Sequence, residues 1–297
     1  MVAPRILLTG ASGFLGSAIR TEAARRGLDM RATSRSLAGE WQADLASDDL
    51  ASLMDGMDVV IHAAARMIGT DADHARDTVR ATKRVVDAAQ GRRVVLISSL
   101  SVYGYLDLSK GSVVDEETPL EDRPDRRDAY TRAKLAQENT LEGNSLALRI
   151  GAIYGDDRVW NGHIGLRRGP ILLRIGTEGE VPLIHVKSAA RAVLDAACSD
   201  ATGAMNLVDD NLPERGTFAR WIASGDGPKL TVPIPWPLME TAARLVPGPG
   251  LLRPETLAAR MKPLRYSNAR AKAALPWEPV SDHEARLLAA LGSKVAA

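Results

Sequence analysis

Cysteine is nearly absent from this sequence, and neither sign of charge is in excess. Cys198 is the one cysteine among 297 residues, which excludes an internal disulfide and fits a reducing compartment. The five histidines are scattered and have no partner cysteines, so no thiolate metal site is expected. Lysine and arginine number 38 and aspartate and glutamate 37, with no basic run long enough to follow a phosphate backbone. We therefore expect no metal and no nucleic-acid partner.

Long apolar segments are missing as well. No stretch has the roughly 18 consecutive apolar residues that a membrane-spanning helix needs. The apolar opening RILLTG is short and is not followed by a small-residue cleavage site. These absences predict a cytoplasmic protein with no membrane partner.

Short apolar runs of β type alternate with helical patterns as far as about residue 150, which predicts an α/β fold with a doubly wound parallel sheet. The predicted strands are Arg5–Thr9, Met30–Ser34, Trp41–Ala43, Val59–Ala63, Arg93–Ser98 and Leu146–Ile150. The predicted helices are Phe14–Arg26, Ser47–Met54, Asp73–Ala89, Ala129–Leu141 and Asp282–Leu291. Beyond residue 150 the pattern becomes irregular and rich in proline, which indicates a smaller appended domain.

Three glycines follow the first predicted strand, in LLTGASGFLG. Gly10 can take a turn conformation closed to other residues, Gly13 lets backbone N–H groups approach a pyrophosphate, and Gly16 permits close packing of helix on strand. The spacing differs from the G-x-G-x-x-G fingerprint, and glycines also mark ordinary tight turns. Dinucleotide binding is the favoured interpretation.

The end of the second strand carries an arginine in place of an acidic residue. Dinucleotide folds that select NAD place a carboxylate on the adenosine ribose, roughly 20 residues beyond the glycines. Here the chain reads RATSRS, and Arg35, which follows Ser34, can hold a 2′-phosphate in fork geometry. This favours NADP over NAD, although Arg35 also fits an ordinary surface position.

Two weaker signals follow the next strands. Asp44 could accept a hydrogen bond from the adenine amine, or it could begin a turn. Ala63, Ala64 and Ala65 would let a cofactor lie against the backbone, or they could simply pack. His62 is expected in the core.

A serine, a tyrosine and a lysine are predicted to meet at one edge of the sheet. Tyr130 and Lys134 lie four residues apart on one helix face, and Ser99 ends a buried-type strand. The carboxyl edge of a parallel sheet is where open α/β folds bind ligands. A strand-end serine that only satisfies backbone groups is the alternative.

With these motifs in this order, the sequence resembles the extended short-chain dehydrogenases/reductases, which are NAD-dependent epimerase/dehydratase-like proteins, over essentially its whole length. TGASGFLG resembles their nucleotide loop, ADL their adenine contact, HAAA their fourth-strand motif, SSLSVYG their catalytic serine segment and YTRAK their Y-x-x-x-K. The resemblance implies a Rossmann domain over residues 1–156 and about 187–209. A smaller C-terminal substrate domain would cover about 157–186 and 210–297.

The resemblance also implies a set of site residues. The catalytic residues would be Ser99, Tyr130 and Lys134. The cofactor-binding residues would be Gly10, Ser12, Gly13, Phe14, Leu15, Gly16, Ser34, Arg35, Asp44, Leu45, Ala63, Ala64, Ala65, Tyr130, Lys134 and Ile153. We predict that an ammonium on Lys134 about 6 Å from the phenol favours the phenolate by roughly 3 kcal/mol, which would lower the pKa of Tyr130 by about two units.

The sequence departs from the family at several positions. Leu100 and Ser101 replace the Asp-Glu pair that sugar-nucleotide 4,6-dehydratases carry after this serine position, so water elimination is not expected. Thr78 and Ala81 replace an asparagine and a glycine, which puts the backbone contacts there in doubt. Lys187 and Ser188 stand where paired aspartates are usual, which puts a charge-based link between the domains in doubt.

These features predict an NADP(H)-dependent oxidoreductase that reduces a carbonyl or oxidises a secondary alcohol of a small molecule, with Tyr130 as acid/base. A sugar-nucleotide epimerase or another sugar-nucleotide-modifying enzyme is the alternative, for which Arg167, Arg168 and Arg174 could face a diphosphate. A non-catalytic NADP(H)-sensing protein is the second alternative. A homodimer through helices 73–89 and 129–141 is expected from the resemblance.

Overall fold

The computed structural model describes residues 3–36, 41–155, 158–224, 228–246, 248 and 250–293. The strands are β1 (Ile6–Thr9), β2 (Met30–Thr33), β3 (Val59–His62), β4 (Arg93–Ser99), β5 (Val113–Val114), β6 (Leu146–Ile150), β7 (Ala152–Tyr154), β8 (Gly165–Arg168), β9 (Ile171–Ile175), β10 (Leu183–His185), β11 (Gly203–Leu207), β12 (Leu230–Ile234) and β13 (Arg265–Tyr266). The α-helices are α1 (Phe14–Arg26), α2 (Ala51–Met54), α3 (Asp71–His74), α4 (Ala81–Ala89), α5 (Ala129–Glu138), α6 (Val186–Ala197), α7 (Arg215–Ala223), α8 (Trp236–Leu245), α9 (Pro254–Met261), α10 (Ala269–Ala274) and α11 (His283–Ser293). A π-helical turn, Ala75–Arg80, joins α3 to α4, and three 3-10 turns cover Leu100–Val102, Pro124–Arg126 and Gly250–Leu252.

Six strands form a parallel sheet in the order β11-β6-β4-β3-β1-β2. Side chains that alternate along β1 enter different cores, because successive residues of a strand point to opposite faces. Ile6 and Leu8 pack with α1 and α6, whereas Leu7 packs with α4. Helices therefore cover both faces of the sheet, and the predicted Rossmann-like α/β fold is confirmed.

In the parallel sheet, one predicted strand was wrong and one strand, β11, was missed. The strands outside this sheet, β5, β7 to β10, β12 and β13, were not predicted either. Trp41–Ala43 is not a strand, because the following residues form a tight turn in which Asp44 Oδ1 accepts the N–H of Ala46 at 3.0 Å. Such side-chain-to-backbone bonds compete with strand pairing. β11 was missed because its sequence, GAMNL, has no β-branched or aromatic residue, and its position is set by parallel pairing with β6.

Four predicted helices differ from the observed ones in their bounds or type. The predicted Ala129–Leu141 helix ends at Glu138, and the predicted Asp282–Leu291 helix is observed as His283–Ser293. The predicted Ser47–Met54 helix is helical only from Ala51, since Asp49 Oδ1 accepts the N–H of Ala51. The predicted Asp73–Ala89 helix starts at Asp71, where Thr70 and Asp73 form a reciprocal cap, and contains the π-helical turn.

The chain beyond β6 adds short sheets and a second core that contains residues of α7 and α11, whereas Ala271 on α10 packs in the core of the parallel sheet. β12, β9 and β8 form a three-stranded sheet, and a separate cluster of buried apolar residues, which includes Phe218 and Leu287, packs beneath it. In the described part of the chain, no helix has the length and apolar character to cross a bilayer.

Hydrogen bonds to Asp209 hold α6 to the chain that follows β11. Ser188 Oγ donates to Asp209 Oδ1 at 2.6 Å, and the same carboxylate accepts the N–H groups of His185 and Val280. Ser188 thus binds a carboxylate that also contacts Val280, at the position where a charge-based link between the domains was in doubt.

Candidate active site

Two adjoining cavities lie along the carboxyl edge of the parallel sheet. The smaller has a volume of about 230 Å³ and the larger about 470 Å³. The predicted residues on the smaller cavity are Gly10, Ser12, Gly13, Ser34, Arg35, Asp44, Leu45, Ala63, Ala64 and Ala65. Those on the larger are Gly10, Gly13, Phe14, Leu15, Gly16, Ala63, Ala65, Ser99, Tyr130, Lys134 and Ile153. The structure thus brings all the predicted site residues together, and their roles remain predictions.

The glycine loop joins the two cavities. Gly10 has φ +70°, and a Cβ there would lie 2.6 Å from the backbone nitrogen of Ala64. A Cβ on Gly16 would lie 2.2 Å from the carbonyl oxygen of Gly10, so this position serves close packing of helix on loop. Gly13 lies at the N-cap of α1, and no side chain caps the helix there. The N-terminal N–H groups of α1 are thus open to an anion.

An arginine cluster forms one wall of the smaller cavity. Arg35 and Arg66 both contact Asp77 Oδ2, at 3.2 and 2.8 Å, and Arg76 contacts Asp77 Oδ1 at 2.5 Å. Burial alone would raise the pKa of Asp77, but the three arginines lower it below its ordinary value. Arg66 and Asp77 line the cavity and were not predicted from the sequence, because nothing local links residues 66 and 77 to residue 35.

Asp44 is held by this cluster. Its Oδ2 accepts a bond from Arg76 at 2.5 Å, and its Oδ1 accepts the N–H of Ala46. Asp44 lines the smaller cavity, as an adenine contact requires, but it also begins the turn that we had considered as the alternative.

The three predicted catalytic residues lie on the larger cavity. Ser99 ends β4, and its hydroxyl lies beside that of Tyr130, where it acts to lower the pKa of the phenol. Asp128 caps α5 by accepting the N–H of Thr131 at 2.8 Å, which fixes the first turn that carries Tyr130. Lys134 is buried, and its Nζ lies 5.8 Å from the centroid of the Tyr130 ring.

The predicted acidity of Tyr130 was wrong. Burial raises the pKa of Tyr130, Asp128 adds to the rise, and the Ser99 hydroxyl only partly opposes it. Burial also lowers the pKa of Lys134 to about 7, with Glu138 acting in the opposite direction. Desolvation penalises both charged forms, and the sequence does not show how deeply the two groups are buried. Tyr130 is therefore a protonated phenol at neutral pH.

His62 is a core histidine, as expected. Its Nδ1 and Nε2 lie 2.8 Å from the hydroxyl of Thr9 and 2.9 Å from that of Thr82. Burial lowers its pKa to about 3, with Lys134 as a smaller cause, so the ring is neutral.

The departures from the family have local explanations. Thr78 Oγ1 accepts the backbone N–H of Arg66 at 2.9 Å, so a backbone contact exists where we had doubted it.

The three arginines considered as diphosphate contacts lie elsewhere. The guanidinium of Arg167 stacks over Trp160, Arg168 is exposed on β8, and Arg174 lines a different cavity. None of these three arginines lines the larger cavity, so they are not placed to contact a diphosphate there, as we had considered.

Sequence reasoning missed further residues on the larger cavity. Arg127 is buried and ion-paired with Glu121 at 2.9 Å, and it also donates to the carbonyl oxygen of Ser101 at 3.0 Å. Asn161, His163 and Thr256 come from segments without a family motif. From the sequence, His163 lay in a segment that could line a cleft and had no assigned role, and the other residues had no signal, since their proximity depends on packing.

Comparisons with known proteins agree with this geometry. Residues 6–203 match the model of the "NAD dependent epimerase/dehydratase family". A 3-diazoavenalumate denitrifying reductase from Streptomyces sp is 28% identical over 93% of this chain and 96% of its own. A 4-hydroxy-2-methyl-3-oxo-4-farnesyl-3,4-dihydroquinoline-1-oxide ketoreductase from Stigmatella aurantiaca is 29% identical over 89% of this chain and 85% of its own.

A solved structure shows the same fold over the full length. MoeE5 in complex with UDP-glucuronic acid and NAD superposes with a TM-score of 0.74 at 20% identity, covering 99% of this chain and 100% of that one. Other structures of this fold contain NADPH. The sheet, the cavities and these matches together show that the chain belongs to the NAD-dependent epimerase/dehydratase family.

Proposed function

We propose that this protein is an NADP(H)-dependent oxidoreductase that reduces a carbonyl group of a small molecule to a secondary alcohol, or catalyses the reverse oxidation. The observation that carries the proposal is the placement of Ser99, Tyr130 and Lys134 on one cavity that begins at the glycine loop. A reductase and a ketoreductase among the relatives of similar length support this reaction class.

The residues present fit a dinucleotide. The uncapped N-terminus of α1 at Gly13 suits a pyrophosphate, and the glycine and alanine backbones that line both cavities leave room beside the sheet edge. When bound, the nicotinamide supplies or accepts the hydride.

The arginine cluster supports NADP over NAD. Arg35 and Arg66 line the smaller cavity, and the three guanidinium groups of the cluster face two carboxylates, Asp44 and Asp77, which leaves one positive charge in excess. A 2′-phosphate carries roughly two negative charges, for which Arg is the preferred ligand.

The chain's own residues then move the proton. Tyr130 donates its phenolic proton to the carbonyl oxygen of the substrate, and Ser99 orients that oxygen by a hydrogen bond. The raised pKa of Tyr130 keeps the phenol in the form that reduction needs. Lys134 holds a positive charge beside the phenol when protonated, which favours departure of the proton.

A sugar-nucleotide-modifying enzyme is the second candidate. The observation that favours it is the presence of Arg158 and Arg260 on the larger cavity, where cations could contact a diphosphate. Arg260 is 3.7 Å from Asp128, however, so part of its charge is already compensated.

Binding and turnover measured together separate the candidates. We expect the protein to bind NADPH more tightly than NADH and to oxidise NADPH in the presence of members of a panel of ketones and aldehydes. Tight NADPH binding without turnover on any compound would favour the sensing protein. Conversion of a UDP-sugar without net NADPH consumption would favour the epimerase.

A homodimer remains part of the proposal. α3 and α5 lie side by side, and Arg132 on α5 forms an ion pair with Asp71 on α3. Two adjacent helices offer a face for a second copy, and a monomer in light scattering would refute this arrangement.

A further inference from the structure

Unpaired buried polar atoms are concentrated on the larger cavity. The described part of the chain has ten buried side-chain nitrogen or oxygen atoms without a hydrogen-bond partner. Five of these atoms belong to residues that line this cavity: Ser101 Oγ, Arg127 Nε, Asn161 Nδ2, His163 Nδ1 and Thr256 Oγ1. Folded proteins pair nearly all such atoms, so a cluster on one cavity needs an explanation.

Asn161 and His163 each carry a buried polar atom without a partner. Asn161 Oδ1 accepts the backbone N–H of His163 at 3.0 Å, which leaves the amide nitrogen Nδ2 as a donor without a partner. The Nδ1 atom of the His163 ring also has no partner, and in a neutral imidazole either ring nitrogen can carry the proton.

The His163 ring is neutral and its loop is fixed. Burial, with Arg215 and Arg260 nearby, lowers the pKa of His163 to about 3. The ring therefore stays neutral across the physiological range, and Nδ1 has the capacity for one hydrogen bond, as donor or acceptor according to the tautomer. The buried Arg215 donates from Nε to the carbonyl oxygen of His163 at 2.6 Å, which holds the backbone in place.

Thr256 adds a hydroxyl from a separate element. It lies on α9, the residue is 4% exposed, and its Oγ1 can donate or accept. Asn161, His163 and Thr256 line the same cavity, and α9 approaches the segment 161–163, since a Cβ on Gly162 would lie 3.3 Å from Arg260 Nη1. We call these three residues the distal polar patch. Its members follow β7 or lie on α9, whereas Ser99 and Tyr130 come from β4 and α5.

The rest of the lining is largely apolar, with Met67, Leu100, Ile153 and Ala259 among its members. A mostly apolar pocket with a few convergent polar groups typically fixes the orientation of a small ligand. The ligand that fits has an apolar body, a reacting oxygen near Tyr130 and a second polar group for the patch.

We propose that the distal polar patch binds a hydroxyl group that the carbonyl substrate carries away from its reacting carbon. A hydroxyl both donates and accepts, so it can pair with His163 Nδ1 in either tautomer and with Asn161 Nδ2 or Thr256 Oγ1. The inference rests on the proposed function and adds the substrate class, which is an uncharged hydroxy ketone or hydroxy aldehyde with an apolar body.

Pairs of ketones that differ by one hydroxyl test this. The probes are 4-hydroxyacetophenone against acetophenone, and 4-(4-hydroxyphenyl)butan-2-one against 4-phenylbutan-2-one. Calorimetry measures their Kd for the protein saturated with NADP⁺, so that binding is read without turnover. We expect the hydroxylated member of at least one pair to bind about ten to a hundred times more tightly.

Two near-isosteric variants locate the preference. Asn161→Asp replaces the amide donor by an acceptor and keeps the bond to the His163 N–H, and Thr256→Val removes only the hydroxyl. Each should reduce the preference for the hydroxylated probe about tenfold while the Kd for NADPH stays unchanged, which also shows that the variant is folded. Thr33→Val is the control, because Thr33 is also buried with an unpaired hydroxyl but does not line this cavity.

The outcomes distinguish this inference from the proposed function. The inference is overturned if the two members of each pair bind with equal affinity, or if neither hydroxylated probe binds. It is also overturned if both variants keep the parent's preference for the hydroxylated probe. Turnover of ketones with equal affinity within each pair overturns the inference and leaves the proposed function intact. The protein could also prefer the hydroxylated probes, lose this preference in both variants, and turn over no carbonyl compound. That result supports the patch and contradicts the proposed function.

Discussion

Lys134 donates a hydrogen bond from Nζ to the backbone carbonyl oxygen of Ile97 at 2.7 Å. This bond ties α5 to β4 two residues before Ser99, at the edge of the parallel sheet. The buried amine is thereby held against the sheet, and Tyr130, one helical turn earlier, is held beside Ser99. The relative position of the three residues thus depends on the packing of one helix on one strand.

The pKa of Lys134 predicts a pH dependence of carbonyl reduction. Burial lowers this pKa to about 7, so the ammonium is present below pH 7 and lost above it. Tyr130, with its raised pKa, stays protonated across the same range. Because the ammonium favours release of the phenolic proton, we expect kcat/KM for reduction to be constant below about pH 7 and to fall about tenfold per unit above it.

A Lys134→Met variant is the control for this profile. It removes the titrating amine and should show a lower kcat/KM that does not change between about pH 6 and pH 9. If kcat/KM of the parent does not change near pH 7, Lys134 does not control the reaction. If the variant keeps the fall in kcat/KM above pH 7, another group titrates.

Arg35→Ala should reduce the affinity for NADPH. Loss of the guanidinium removes a charge-assisted contact to the 2′-phosphate, and we expect the Kd for NADPH to rise about tenfold or more, with the Kd for NADH nearly unchanged. Fluorescence titration with each dinucleotide measures this. Arg168→Ala provides the control, because Arg168 is exposed on β8 and lies outside both cavities. An equal loss of affinity for NADPH and NADH would show that Arg35 does not contact the 2′-phosphate.

The buried ion pair between Arg127 and Glu121 should matter for stability. Their side chains are 2% and 1% exposed, so Glu121→Gln leaves a guanidinium buried without its countercharge. We expect the free energy of unfolding in urea to fall by about 3–5 kcal/mol. Asp107→Asn, which breaks the pair between the 81% exposed Asp107 and Arg123, should cost less than about 1 kcal/mol. Similar losses in both variants would contradict the role of burial.

The sheet and the glycine loop could be predicted because their signals are local. Five of the six predicted strands are observed with bounds within one residue, since apolar runs and glycine punctuation act over short distances. The error at Trp41–Ala43 arose where Asp44 uses its side chain to close a turn. β11 depended on a pairing partner, β6, that lies far away in the sequence.

The candidate site was predicted in its composition but not in its electrostatics. Ser99, Tyr130 and Lys134 share a cavity as their spacing indicated, yet the ionisation of Tyr130 shifts in the opposite direction from the one we predicted. The helix spacing gives the distance between the charges, whereas the cost of burial depends on every element packed around them. The proposed contacts of Asn161 and His163 with a substrate hydroxyl likewise depend on unpaired atoms, which are visible only in the folded structure.

The most direct test of the account compares the parent protein with Tyr130→Phe in a single turnover, with saturating NADPH and a ketone that the parent reduces. The variant keeps the ring and loses the proton that Tyr130 donates. We predict that the rate of NADPH oxidation falls by about a hundredfold to ten-thousandfold while the Kd for NADPH stays within about twofold of the parent value. A variant that oxidises NADPH at the parent rate would show that the proton comes from another group.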